Sequence, residues 1–186
     1  MNVIATALPG VIILEPKIFK DNRGFFLESY QKKRYQEAGI ELEFVQDNHS
    51  ASQKGTLRGL HCQWRKPQGK LVRVIQGEIV DIAVDARISS PTCGQWVSVS
   101  LSSDNFKQIY VPPGFLHGFC VVSESAEVEY KCTALYDPEG EVSVRWDDSQ
   151  LKIVWPISNP VLSSKDAKGL SFKEALLQLN GQRSPS

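Results

Sequence analysis

The sequence predicts a mostly β protein, most simply a jelly-roll barrel or sandwich with a few short peripheral helices. Three observations favour this class: short stretches of alternating apolar and polar residues, glycine or proline between them at short intervals, and little helical periodicity. No internal repeat interrupts this pattern. A barrel of this kind has a cavity that can hold a ligand.

Two segments have helical character, residues 31–38 before Gly39 and residues 172–179 before Asn180 and Gly181. The best strand lies at residues 78–85, where valine and isoleucine alternate with aspartate and alanine. Residues 70–76 form a less regular strand before it. We expect Gly77 and Glu78 to make a tight turn or bulge that joins the two strands.

Further strands follow at similar spacing. Residues 97–102 alternate apolar side chains with serine, and the Pro112-Pro113-Gly114 turn could not lie in a central strand. Beyond that turn, His117 shares a face with the apolar residues two and four positions later. Tyr130 shares a face with apolar residues across residues 128–134. Both side chains are therefore predicted to point into the interior.

The length of 186 residues suggests one domain, residues 1–180, which would bury roughly 70% of its unfolded surface. Its last part, from residue 146, loses the alternation and is expected to pack across the outside of the barrel, followed by a frayed tail at 181–186. The 21 basic and 21 acidic residues cancel, so no overall field favours nucleic acid or a membrane as a partner.

Residues 1–14 lack the features of a secretory signal, and no later apolar stretch is long enough to span a bilayer, so we expect a cytoplasmic protein. There the four cysteines should stay reduced. No pair is spaced as CxxC, which disfavours disulfides and zinc. Cys120 and Cys132 are predicted to be small core residues.

Three strand positions could face one cavity: His61, which follows Arg58 by three residues, His117 and Tyr130. A histidine in a β protein is more often structural than catalytic, and only the clustering favours a function. A neutral imidazole with a pKa of about 6.5 can take a proton, and a phenol with a pKa of about 10 can return one. This division of labour suits epimerisation next to a carbonyl, whose enolate needs a positive neighbour. Lys70 is the candidate, although a solvated lysine is the commoner state at the start of a strand.

Several cations would have to converge to hold a diphosphate-bearing substrate, since guanidinium groups match phosphate oxygens well. Arg23, Arg58 and Lys165 are candidates, and each could equally be a surface charge. Spacing alone does not decide between these possibilities.

Several motifs together resemble one family, the dTDP-4-dehydrorhamnose 3,5-epimerases, in the expected order along almost the whole chain. They are RGFFLES at 23–29, FVQDNHS at 44–50, LRGLHCQ at 57–63, QGKLVRV at 68–74, SSPTCGQWV at 89–97, YVPPGFLHGF at 110–119, EYKCTALYDPEGE at 129–141 and LSSKD at 162–166.

The resemblance implies a cupin-type jelly-roll homodimer, with strand exchange between subunits and neither cofactor nor metal. Its substrate would be dTDP-4-dehydro-6-deoxy-D-glucose, converted to dTDP-4-dehydro-L-rhamnose on the way to dTDP-L-rhamnose. The C4 ketone of that sugar acidifies the hydrogens on both C3 and C5, so one site could invert two centres.

The resemblance also implies roles. His61 matches the general base, Asp166 its carboxylate partner, Tyr130 the general acid and Lys70 the group that stabilises the enolate. The positions that match substrate-binding residues are Arg23, Glu28, Gln46, Asp47, Asn48, Arg58, His117, Tyr136, Glu141 and Lys165. Of these, Arg23 and Arg58 are expected to take the diphosphate and Tyr136 to stack on thymine. The partner subunit is expected to supply the Arg23 segment.

The chain departs from the family pattern at two points. Cys62 stands where many relatives have tyrosine, and the loop at residues 64–68 is one residue short, which bears on the reach of Lys70. The alternatives are a single-carbon epimerase of a related dTDP-ketodeoxysugar, a non-catalytic sugar-binding jelly roll, and a metal-dependent cupin. The last would normally carry His-x-His, whereas this chain has His61-Cys62-Gln63 with one imidazole.

Overall fold

The structure is a computed structural model that describes residues 1–181. Its strands are β1 Asn2–Ala5, β2 Ile12–Glu15, β3 Ile18–Asp21, β4 Gly24–Leu27, β5 Gln46–Gln53, β6 Leu57–Gln63, β7 Lys70–Gln76, β8 Glu78–Asp85, β9 Trp96–Ser102, β10 Gln108–Val111, β11 Phe115–Val121, β12 Ser125–Cys132 and β13 Glu141–Ser143. The helices are α1 Lys32–Glu37 and α2 Phe172–Gly181, and two short 3₁₀ turns lie at Pro138–Gly140 and Asp166–Lys168.

Two antiparallel sheets form the body of the molecule. One has six strands in the order β1-β2-β10-β7-β12-β5, and the other has five in the order β13-β6-β11-β8-β9. Strands β3 and β4 form a separate hairpin. Apolar side chains from both sheets, such as Val72 and Val128 from one and Phe119 and Val121 from the other, share one buried core. The predicted mostly β class with two helices is confirmed.

Two further cores lie on the outer faces of the sheets. Leu116 of β11 packs with Trp155 and with Phe172 of α2 in a second core, so the segment after β13 covers the five-stranded sheet as predicted. Tyr35 of α1 packs with Leu71 of β7 in a third core. Both faces of the five-stranded sheet therefore carry buried apolar side chains.

The two predicted helices are present. Helix α1 begins where the Gln31 side chain accepts a hydrogen bond from the Arg34 backbone N–H at 2.7 Å, which caps the helix. Helix α2 runs through Gly181 rather than ending at residue 179. The rest of the predicted tail, residues 182–186, lies outside the described residues. Within residues 1–181, neither helix has the length and hydropathy needed to cross a bilayer.

The connection at Gly77 joins β7 to β8 as predicted. Strands β7 and β8 do not pair; they belong to different sheets. Gly77 has a φ of +79°, and a Cβ there would lie 2.0 Å from the Ser125 carbonyl oxygen. The residue therefore passes the chain from one sheet to the other, in a conformation and a space that favour glycine. The row of inward-facing residues predicted over 128–134 is shorter in the structure, because β12 ends at Cys132.

Candidate active site

A bulge in β6 brings two predicted site residues to the same face of the sheet. His61 lies opposite His117 of β11, and Arg58 lies opposite Phe119. The two positions are three residues apart on β6 but only two residues apart on β11, so β6 contains one extra residue between them. Strict alternation would place residues three apart on opposite faces. The extra residue at Gly59 and Leu60 turns both Arg58 and His61 inward.

Glycine is required at the bulge for two reasons. Gly59 has a φ of +117°, where L side chains are strained. A Cβ on Gly59 would also lie 2.6 Å from the Cα of Gly118 on the neighbouring strand. The bulge that places Arg58 and His61 on one face therefore depends on glycine at position 59, where β6 and β11 approach closely.

A cavity of about 580 Å³ lies between the two sheets. All four side chains predicted to be catalytic line it, together with seven of those predicted to bind substrate. The predicted residues among its lining are His61, Lys70, Tyr130, Asp166, Gln46, Asn48, Arg58, His117, Tyr136, Glu141 and Lys165.

The predicted base and the predicted acid belong to opposite walls of this cavity. Tyr130 on β12 lies between Val72 of β7 and Asn48 of β5, in the six-stranded sheet. His61 on β6 lies beside His117 of β11, in the five-stranded sheet. An imidazole and a phenol can therefore approach a bound ring from two sides.

A carboxylate holds the His61 ring from behind. Nε2 of His61 lies 2.5 Å from Oδ1 of Asp166, and the Ser163 hydroxyl donates to the other carboxylate oxygen at 2.7 Å. Burial raises the pKa of Asp166, but the hydrogen bonds from His61 and Ser163 outweigh it, so the pKa lies below its ordinary value. With Nε2–H donated to this anion, Nδ1 carries the lone pair that can accept a proton. Nδ1 lies 3.9 Å from the Glu141 carboxylate.

Lys70 and Tyr130 are neighbours on the opposite wall. The Lys70 ammonium lies 6.0 Å from the centre of the Tyr130 ring. Burial disfavours the charged form of each group. It therefore lowers the pKa of Lys70 and raises the pKa of Tyr130. The phenol is thus held as a proton donor. Lys70 lines the cavity, so the loop at residues 64–68, which the family pattern predicts to be one residue short, does not keep its side chain away.

A second histidine and carboxylate pair lies deeper. Nε2 of His117 is 2.8 Å from Oδ2 of Asp81, and both side chains are buried. Asp81 was not among the predicted site residues. It lies opposite Phe119 and shares the inward face of β8 with Ala83, two residues later. The pair fixes the orientation of the His117 ring at the wall of the cavity.

Three side chains are linked at another part of the cavity wall. The Tyr136 hydroxyl donates to Glu141 at 3.0 Å, and the Lys165 ammonium lies 2.9 Å from both carboxylate oxygens. Burial raises the pKa of Glu141, but the hydrogen bonds from Lys165 and Tyr136 and the charge of Lys165 help to bring the net pKa below its ordinary value. By contrast, Arg58 donates to neutral oxygens, the Ser52 hydroxyl at 3.0 Å and the Ala51 carbonyl at 3.5 Å.

Three of the predicted binding residues lie outside the cavity. Arg23 is in the β3-β4 hairpin, where its side chain is 85% exposed and pairs with Asp21 at 2.6 Å. Glu28 follows the hairpin and pairs with Arg34. Asp47 lies on β5 between Gln46 and Asn48, which both line the cavity, so the alternation of the strand places its side chain on the outward face. There it pairs with Lys131.

Other residues line the cavity although no role was predicted for them. They are Ser50, Cys62, Gln63, Gln68, Phe119 and Ser163. The alternation of β5 and of β6 could have identified Ser50 and Gln63 as neighbours of Asn48 and His61. Cys62 also belongs to the second core, and burial raises the pKa of its thiol to about 12. It is therefore a neutral lining group rather than a thiolate.

Comparison with known proteins identifies close relatives. The family model described as dTDP-4-dehydrorhamnose 3,5-epimerase matches residues 5–174. A dTDP-4-dehydrorhamnose 3,5-epimerase of Shigella flexneri is 53% identical over 177 residues, which cover 94% of this chain and 98% of that protein. A crystal structure of dTDP-6-deoxy-D-glucose-3,5-epimerase from Legionella pneumophila, in complex with dTDP-4-keto-L-rhamnose, superimposes with a TM-score of 0.93, 52% identity and 96% coverage of each chain. A dTDP-4-dehydrorhamnose 3,5-epimerase structure from Bacillus anthracis, with TDP and PPi bound, has a TM-score of 0.89 and 45% identity, and covers 91% of this chain and 98% of that one.

Proposed function

The chain belongs to the dTDP-4-dehydrorhamnose 3,5-epimerase family and is an isomerase with that activity, and we propose that His61 and Tyr130 perform its proton transfers. The position of these two groups on opposite walls of one cavity carries the proposal. Inversion at carbon requires that the proton leave from one face of the ring and return to the other.

In the first step, Nδ1 of His61 takes the proton from the carbon next to the C4 ketone of dTDP-4-dehydro-6-deoxy-D-glucose. The electrons of the broken C–H bond form the enolate, and the proton stays on the imidazole. The Asp166 carboxylate, 2.5 Å from Nε2, stabilises the imidazolium and holds the ring in place.

The enolate oxygen needs a positive or hydrogen-donating neighbour. Lys70 supplies the charge, and no metal ion is needed for this role. The Tyr130 hydroxyl then gives its proton to the opposite face of the carbon, which inverts the configuration. This leaves His61 protonated and Tyr130 as a phenolate, so exchange of protons with water restores the neutral imidazole and the phenol. Because the ketone acidifies both C3 and C5, the restored groups then act on the second carbon.

Binding rests on the rest of the cavity wall. Arg58 is suited to the diphosphate, since its guanidinium is bound to neutral oxygens and keeps its charge for an anion. Tyr136 is suited to stack on thymine. The sugar nucleotide in the Legionella structure and the TDP in the Bacillus structure support a dTDP-sugar as the ligand.

Incubation of the wild-type chain with this ketosugar in D2O tests the proposed function. We expect deuterium at both C3 and C5, with dTDP-4-dehydro-L-rhamnose as the product, measured by NMR. Deuterium at C3 alone would indicate a single-carbon epimerase. Its absence from both carbons, in a sample that binds dTDP, would contradict the proposed proton transfers and leave a sugar-binding role.

Lys70 should set the alkaline limit of activity. Its ammonium form stabilises the enolate and exists only below its pKa, which burial lowers from 10.5. We therefore expect kcat to fall as the pH rises through a value below 10.5, while the phenol of Tyr130, with its raised pKa, is still protonated. Profiles of kcat against pH check this. Lys70→Met should lower kcat by roughly 10²–10³-fold and lose that limb, and an unchanged limb in the variant would assign it to another group.

A homodimer would explain why Arg23 lies outside the cavity of its own chain. The hairpin that carries Arg23 exposes Phe25 and Phe26, which are 59% and 69% accessible. We propose that this hairpin reaches a second copy of the chain and brings Arg23 to the diphosphate bound there. The exposed aromatic rings would be covered at the same contact.

Subunit complementation tests this arrangement. The variants Arg23→Ala and His61→Asn should each have low activity alone. Co-expressed with different tags and purified as the mixed dimer, they should recover up to about half the activity of wild type, because one cavity keeps His61 and receives the other subunit's Arg23. If Arg23 serves its own chain, the mixed dimer should show no recovery.

A further inference from the structure

The segment from Ala134 to Asp137 leaves the sheet, and glutamine side chains bind its backbone. It starts after β12 ends at Cys132 and carries Tyr136 to the cavity. Three glutamine side chains bind its backbone, and all three also line the cavity. We call Gln46, Gln63 and Gln68 the glutamine clamp.

Each glutamine comes from a different part of the barrel. Gln68, before β7, donates to the Ala134 carbonyl at 2.6 Å. Gln63 on β6 donates to the Leu135 carbonyl at 3.2 Å and accepts from the Asp137 N–H at 3.0 Å. Gln46 on β5 accepts from the Tyr136 N–H at 2.9 Å. Four consecutive residues are thus bound by the clamp.

Gln63 is the central member. It is only 6% exposed, and its NH2 group also donates to the Lys66 carbonyl at 2.9 Å, in the loop that leads to Lys70. A primary amide provides donors and an acceptor on one group, which is what two carbonyls and one N–H require. Loss of these bonds would leave the buried N–H of Asp137 without a partner.

We infer that the glutamine clamp sets the position of the Tyr136 ring, and that Gln63 is a positioning residue for recognition of the nucleobase. The ring is fixed at its other end by its hydroxyl, which donates to Glu141 at 3.0 Å. A ring held at both ends is already oriented before ligand binds, which lowers the entropic cost of stacking. The inference rests on the proposed contact between Tyr136 and thymine.

A double-mutant cycle tests it, with dTDP and inorganic pyrophosphate as probes in calorimetry. Gln63→Met should weaken dTDP binding about tenfold, a part of what base stacking contributes, and leave pyrophosphate binding unchanged. KM for the sugar nucleotide should rise while kcat changes little. In a Tyr136→Leu background, Gln63→Met should cause little further loss, because the two residues act through the same contact.

Two more variants separate positioning from folding. Gln68→Met removes one clamp hydrogen bond from a less buried side chain, and should weaken dTDP binding in the same way but less. Ser123→Ala removes a side chain that holds another turn, by bonds of 2.7 and 2.8 Å, away from the cavity lining. It should leave dTDP affinity unchanged even where the melting temperature falls.

Equal losses from Gln63→Met in the wild-type and Tyr136→Leu backgrounds would overturn the inference, as would equal losses for dTDP and pyrophosphate. If Tyr136→Leu weakens dTDP binding but neither clamp variant does, the thymine contact stands and the clamp does not position it. If the wild type binds no dTDP, the proposed function itself fails.

Discussion

Replacing His61 with asparagine is expected to abolish deuterium exchange at C3 and C5 while dTDP affinity stays close to that of wild type. The Asp166 carboxylate keeps the hydrogen bond from the Ser163 hydroxyl at 2.7 Å, so it retains a partner in the variant. It has no basic nitrogen, and loss of a general base lowers rates by roughly 10²–10⁴-fold. The measurement is NMR of the ketosugar in D2O, with dTDP affinity measured by calorimetry.

His49 offers a matched control. It lies on β5 facing outward, half exposed, with its ring 3.0 Å from Glu127. His49→Asn makes the same chemical change without touching the cavity and should leave exchange unchanged. Near wild-type exchange in His61→Asn would remove His61 from its role as the base.

Replacing Tyr130 with phenylalanine is expected to lower formation of the inverted product by roughly 10²–10⁴-fold, because the group that protonates the second face is lost. The base remains, so abstraction continues. Deuterium should then enter recovered substrate with its original configuration, delivered from the His61 side. Product formation and the configuration of labelled substrate can be read from the same NMR spectra.

Tyr110→Phe is the control for this change. Tyr110 is a buried tyrosine outside the cavity lining, packed in the third core. Its loss of a hydroxyl should affect stability but not product formation. Should Tyr130→Phe form inverted product at the wild-type rate, another donor must protonate the enolate.

Alternation along the strands predicted much of the cavity. His117 on β11 and Tyr130 on β12 face inward as their period-two positions require. Asp47 lies outward by the same rule, and the substrate-binding role that the family motif implied for it stays a prediction. In these strands the side-chain direction follows from the backbone alone, since successive residues point to opposite faces.

The features that alternation along the strands does not predict depend on contacts between distant segments. Arg58 and His61 share a face only because of a bulge that needs the close approach of Gly59 and Gly118. Asp166 lies 105 residues from His61, and only the family motif indicated that they meet. In β8, the fully apolar face with Ile82 and Val84 is covered by the segment after β13. The face that carries Asp81 and Ala83 therefore points inward, between the two sheets.

The glutamine clamp and the hairpin could not be predicted from the sequence for a related reason. A glutamine that binds backbone 66 to 90 residues away along the chain leaves no periodic pattern, since the contact depends on how the strands and loops come together in the fold. The exposed rings of Phe25 and Phe26 were part of a recognisable motif, but alternation does not tell which surface covers them.

A crystal structure of the protein with dTDP-glucose tests the central claim most directly, because this sugar lacks the C4 ketone and stays unreacted. We predict that the His61 ring and the Tyr130 hydroxyl will lie on opposite faces of the pyranose, each within about 4 Å of C3 or C5. A complex in which both groups lie on the same face, or in which the sugar lies outside the cavity between the two sheets, would contradict the account.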